Sequence, residues 1–97
     1  MTARQGRILS AVASVCGLSP RELVTHAQGW QRAVYGKRLA AYVLALDGAR
    51  DGEIAALLGR EADWAKRARR MVAGNIGRLP GLRADLARLA RMLEGGR

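Results

Sequence analysis

Lys66-Arg67-Ala68-Arg69-Arg70 places four cations within five residues, and no Asp or Glu stands four positions further on to neutralise them. Like charges at helical spacing cost a helix about 0.2–0.5 kcal/mol per pair, so a polyanion laid against such a run relieves it. The other side chains able to do chemistry are few. Cys16 is the single cysteine and His26 the single histidine. One thiol forms no internal disulfide, and one Cys with one His builds no structural zinc site. Their spacing gives no reason for them to meet as nucleophile and base. Cys16 falls on an apolar helical face and reads as a small core hydrophobe. His26 falls near a helix end, where capping or solvent exposure suits it. The glycines are scattered at turns rather than grouped as a phosphate loop. No catalytic residue, metal site or cofactor is assigned, and the reading is not an enzyme.

Composition points the same way. At 97 residues the chain is long enough for one modest core. Its 17 Lys and Arg against 8 Asp and Glu leave a formal charge of +9, which favours a polyanionic partner. Of those cations 10 lie in residues 51–97 and 7 before, so the excess is not a tail. No apolar run of about 18 residues exists to span a membrane. The opening MTARQGR lacks the apolar block of a signal peptide, and a cytoplasmic, nucleoid-associated location is expected.

The cations need a rod to carry them, and Asp51 to Asn75 supplies one. Asp51 suits an N-cap. Ile54, Leu57 and Leu58 then make an inward stripe, with Ala55 small where another helix crosses closely. Gly59 stands where the chain must turn sharply. Beyond it Ala65, Ala68 and Val72 recur as a thin apolar face, which leaves Asp63, Trp64, Lys66, Arg67 and Arg70 outward. Two short helices about a tight turn, the second one basic, suit a helix-turn-helix whose second helix lies in the DNA major groove. On that expectation Arg67 and Arg70, one turn apart, face base edges. Lys66, Arg60 and Arg69 sit on phosphates, with Arg69 nearer the packed side. Trp64 either packs on sugar or a thymine methyl or plugs the core. Arg32, Lys37 and Arg38 either reach the flanking backbone and minor groove or form a solvated helix face, the latter favoured for Lys37.

The remaining elements follow in order. Gln5 to Cys16 is a first helix with Ile8, Ala11, Val12 and Val15 on one face, closed by Gly17. Ser19, Pro20 and Glu22 form a capping box with proline at the first helical position, opening a second helix that runs to about His26. Gln28-Gly29 reads as a loop. A third helix over Gln31–Leu46 turns Tyr35, Leu39, Tyr42, Val43 and Leu46 inward, and Asp47-Gly48 stops it. Gly36 inside it costs about 1 kcal/mol relative to Ala, so it either permits close packing or precedes the helix start. After Gly74, Gly77 and Pro80-Gly81, a last helix over Leu82–Glu94 carries Leu82, Leu86, Leu89 and Leu93. That stripe either completes the core, the favoured reading, or meets a second copy or a protein of the transcription machinery. No strand pattern occurs. The expectation is an all-α bundle of about six helices: residues 1–77 as the helix-turn-helix domain, and residues 78–97 as an amphipathic helix packing on it or mediating self-association.

From Ile8 to Val72 this order resembles the C-terminal DNA-binding domain of the bacterial replication initiator DnaA. The likeness lies in ILSAVASVCGLSPRELV, in Leu39, Ala40, Tyr42 and Val43 of KRLAAYVLAL, and in Glu53, Ile54 and Gly59 of GEIAALLG. It implies a Trp-repressor-like helical fold and double-stranded DNA binding through the helix after Gly59. The family's origin-reading signature is replaced by Glu61, Ala62, Asp63, Trp64 and Ala65, and its Arg-rich loop by HAQGWQR with Arg32 alone. A looser likeness is to DnaA-tail-like activators of prophage or gene-transfer-agent clusters. The function expected is a double-stranded DNA-binding transcriptional regulator, with activation favoured. The rival readings are a helical adaptor whose basic face meets an acidic protein, a replication-linked factor, and a membrane-surface helix. The last is disfavoured because the leucine helix offers no aromatic.

Overall fold

The computed structural model describes residues 1–25 and 31–95, and every regular element among them is helical. The helices are α1 (Ala3–Cys16), α2 (Pro20–Val24), α3 (Gln31–Leu46), α4 (Asp51–Leu58), α5 (Ala62–Asn75) and α6 (Pro80–Gly95). His26, the Gln28-Gly29 loop and the rest of residues 26–30 lie outside the described residues. The all-α class and the six helices expected from the sequence are what the chain forms.

Local chemistry sets most of the boundaries. Ser19 Oγ accepts from the Glu22 N–H at 3.1 Å, and Glu22 Oε1 accepts from the Ser19 N–H at 2.8 Å. Thr2 and Gln5 make the same reciprocal pair, both bonds at 3.0 Å, so α1 begins at Ala3, two residues before the expected start at Gln5. At the other ends, α1, α3 and α4 close alike. Gly17, Gly48 and Gly59 have φ of 71°, 97° and 67°. In each case the N–H of the following residue reaches back five positions: Leu18 to Ala13 O, Ala49 to Leu44 O, and Arg60 to Ala55 O, at 2.8, 3.0 and 2.8 Å. A left-handed glycine followed by that bond satisfies carbonyls the helix would otherwise leave open.

The start of α4 differs from expectation. Arg50, with extended backbone, is the cap, and its N–H donates to Glu53 Oε1 at 3.0 Å. A guanidinium has no acceptor to return the bond. Asp51 is already helical, and its carboxylate is engaged elsewhere.

The third helix is the centre of the bundle, packing against α1, α2, α4 and α5. Its buried side is Ala33, Gly36, Lys37, Leu39, Ala40, Ala41, Val43 and Leu44. Tyr35 and Tyr42 are half-buried and Leu46 is 70% exposed, so the inward face expected from the large apolar residues is corrected by about a third of a turn. Small residues face the neighbours because four helices crowd this rod, and only Ala and Gly let their backbones approach. Gly36 shows it most directly. A Cβ there would stand 2.8 Å from Leu23 Cδ1 and 3.3 Å from Cys16 Sγ, which decides in favour of close packing within a continuous helix. Cys16 is buried in this junction as expected.

The last helix packs on α1, with Leu82 and Leu89 fully in the core and Leu86 and Leu93 half-buried against it. Two polar ties hold it. Tyr35 Oη donates to Asp85 Oδ2 at 2.6 Å, and Arg7 Nη2 donates to the Leu93 carbonyl at 3.1 Å. Leu82 and Leu89 are therefore consumed inside the chain's own fold, which corrects the option that the whole leucine stripe meets a partner.

Candidate nucleic-acid interface

The second helix of the central pair is built to lie close to the body and show charge outward. Ala65, Ala68 and Val72 are 0%, 3% and 6% exposed, and they face α3 and α4. Two alanines in that seam let α5 sit shallowly against its neighbours, and Ala55 of α4, 4% exposed, does the same from the other side. Three residues, Gly59, Arg60 and Glu61, join α4 to α5, and the left-handed glycine makes so short a connection possible.

Opposite the alanine seam, Asp63, Lys66, Arg67 and Arg70 are all exposed. Among the described residues the ion pairs are Arg4–Asp47 and Arg69–Asp51, so Lys66, Arg67 and Arg70 enter none. Asp63 lies in the first turn, where its charge suits the positive end of the helix dipole.

The tertiary structure sorts the remaining candidates. Arg69 lies on the flank, and its Nε and Nη2 donate to Asp51 Oδ1 and Oδ2 at 2.7 and 3.1 Å. That bidentate bond holds the Asp51 carboxyl below its usual range and raises the guanidinium further, so Arg69 is a strut between α4 and α5 rather than a free phosphate ligand. Trp64 is half-buried against the core, which favours the plugging place expected for it over the outward one. Its ring supports the Arg60 guanidinium, whose carbon lies 5.4 Å from the ring centroid. A contact of that kind at an exposed site is worth about 0.5–1 kcal/mol and fixes where the cation sits. Arg60 thereby stays exposed at the turn, next to the start of α5.

The three candidates on α3 separate. Lys37 is 2% exposed, which corrects its expected place on a solvated face or against DNA. Burial lowers its pKa, and the nearby Arg60 charge lowers it further. Arg38 is half-buried on the outer face of the same helix, beside Gln31, Val34 and Tyr35. Arg32 is exposed at the end of α1, its Nη1 standing 3.5 Å from where a Cβ on Gly17 would lie. A cation there complements the negative end of that helix. Arg60, Lys66, Arg67 and Arg70 are thus brought together, whereas Lys37 and Arg69 are withdrawn.

The residue that sequence reasoning misjudged most is Asp51. Its spacing of 18 from Arg69 carries no local signal, because the two meet only after α4 and α5 fold back on one another. Elsewhere, a groove of about 780 Å³ is lined by Met1, Leu9, Ser10, Val24 and Met92 among others, with Arg7 and Arg21 as its charged members. It contains no carboxylate, thiol or imidazole among its described lining. Burial, with a contribution from Asp85, pushes the Cys16 thiol up to about 11, which keeps it protonated near neutral pH. No cluster of three or more His, Cys, Asp or Glu side chains suited to a metal occurs among the described residues. No described helix is long and apolar enough to cross a membrane.

The chain is matched by no protein-family model, no curated protein and no solved structure. What fold and site define is a class: among the described residues, a small six-helix domain whose α5 exposes a dense cationic face.

Proposed function

We propose that the protein binds double-stranded DNA through α5 as a helix-turn-helix module, and that it regulates transcription from the sites it occupies. One observation carries the reading: Lys66, Arg67 and Arg70 stand exposed on one side of a helix whose other side is two alanines and a valine, and none of the three enters an ion pair among the described residues. A passive surface gains nothing from gathering like charges, whereas a phosphate backbone neutralises them and releases counterions.

The roles divide by position. Arg70 lies at the centre of the exposed face and Arg67 one turn before it towards one edge, where a guanidinium takes guanine O6 and N7 in a bidentate contact. Lys66 and Arg60 flank them at the level of the phosphates, with Arg60 steadied by the Trp64 ring. Asp63, on the same face, suits a cytosine amino group. Arg38 and Arg32 stand off the α5 surface and serve the flanking backbone.

Binding-site selection followed by mobility shift tests the assignment. The wild type is expected to enrich a motif, Arg67→Ala to relax preference at one position by about 1–3 kcal/mol, and Lys66→Ala to weaken all duplexes alike. Absence of any shift with random duplex at about 50 mM salt sinks the DNA reading, since non-specific binding is strongest at low salt. Genome-wide occupancy of the tagged protein then tests the regulatory role, which requires peaks upstream of transcribed genes.

A further inference from the structure

The last helix carries a second set of cations that the α5 reading does not use. Arg83, Arg88 and Arg91 are exposed, and so are Ala84, Ala87 and Ala90 between them. The helix has two carboxylates. Asp85 is turned inward and accepts from Tyr35 Oη, which leaves Glu94 alone on the outer side. Neither Arg83, Arg88 nor Arg91 enters an ion pair among the described residues. An arginine face with alanines between the charges leaves room for a polyanion to approach the helix closely.

Where this face points is set by α3. The last helix lies along one flank of it: Tyr35 bonds Asp85, while Tyr42, Val43 and Leu46 share a groove with Leu86, Leu89 and Leu93. Tyr42 and Leu46 also line a depression with Ala45, Arg69, Arg70 and Ala73, so the C-terminal end of α3 borders α5 as well. The packing of the two cationic helices is nonetheless separate: α6 packs on α1, whereas α5 packs on α3 and α4.

We infer that the outward face of α6 is a second phosphate-binding surface, and that one molecule bridges two separate duplexes, one on α5 and one on Arg83, Arg88 and Arg91. The inference rests on the DNA reading of α5. It goes beyond it in requiring two non-contiguous contacts from a single chain.

A bridging assay tests it, with one duplex anchored on beads, a second, fluorescent duplex free, and the full chain added below saturation. The wild type is expected to retain the free duplex on the beads. The variant R83Q/R88Q/R91Q is expected to retain it at least about tenfold less well, while its mobility shift of a single duplex keeps the wild-type salt slope. The control R21Q/R50Q/R78Q loses the same charge from three other exposed positions and is expected to bridge normally. A wild type that shifts a duplex but retains no second one overturns the inference and leaves the α5 reading standing. Bridging that survives in the α6 variant overturns it too, because two copies of the chain are then making the link. A fall of about 2.7 in the single-duplex slope of that variant shows that both helices share one duplex, which equally overturns it. If no duplex is shifted at all, the α5 reading fails and this one with it.

Discussion

Replacing Asp51 by Asn releases Arg69 without touching any exposed cation, and the charge arithmetic of α5 then predicts an increase in DNA affinity. Four exposed cations at this surface enter no ion pair among the described residues: Arg60, Lys66, Arg67 and Arg70. Each phosphate neutralised contributes about −0.9 to the slope of log affinity against log salt, so these four contribute about −3.6 on a random duplex, the flanking Arg32 and Arg38 adding the same increment in every variant. Between 50 and 200 mM salt that contribution corresponds to a loss of about 150-fold. Asp51→Asn frees a fifth cation, which steepens the contribution to about −4.5 and the loss to about 500-fold. The double variant Asp51→Asn with Arg69→Gln removes the pair as a neutral unit and is expected to return to about −3.6, whereas Lys66→Ala falls to about −2.7. Fluorescence anisotropy on a labelled duplex across four salt concentrations resolves steps of this size. A slope for Asp51→Asn equal to that of the wild type would refute the idea that Arg69 is withheld. So would a double variant that behaves like Lys66→Ala. Either result means that the strut between α4 and α5 does not decide which cations the DNA meets.

Other consequences follow from the packing. Gly36→Ala gains about 1 kcal/mol of helix propensity but forces a Cβ to 2.8 Å from the fully buried Leu23, and overpacking of that kind costs about 1–3 kcal/mol. Urea unfolding should therefore show net destabilisation, while Gly6→Ala, whose Cβ meets nothing closer than 4.0 Å, should stabilise. Tyr35→Phe deletes the α3–α6 bond to Asp85 and is expected to cost about 1 kcal/mol, read as faster proteolytic release of α6. The depressed carboxyl of Asp51 contributes stability above the usual Asp range and loses it as pH falls through the lower folded value. The acid limb of a thermal-denaturation series should accordingly be shallower in Asp51→Asn, and an unchanged limb would show that the Arg69 bond adds nothing to folding.

What the chain's own residues determined is everything decided within about five positions. Ser19 with Glu22, and the glycines at 17, 48 and 59, fix helix ends because donor, acceptor and backbone conformation all lie in one short segment. The alternation of Ala65, Ala68 and Val72 with Asp63, Lys66, Arg67 and Arg70 likewise states which side of α5 faces water, since a single-sided helix has only one way to lie. Other features were settled only when distant segments met. The inward face of α3 was displaced from the one its large residues suggested, because four neighbours bury a wide arc that takes in Gly36, Ala40 and Lys37. Leu39 and Val43 are buried as expected, but Leu46 went outward and Tyr35 and Tyr42 stayed half-buried, while Gly36, Ala40 and Ala41 admit close backbones. Lys37 was buried by the same crowding, against the preference of its charge. Asp51 found Arg69 across 18 positions and removed one cation from the surface, while Leu82 and Leu89 closed the core instead of waiting for a partner. Local bonds mark where helices begin and end; which cations remain free for a phosphate depends on which helices come to lie side by side.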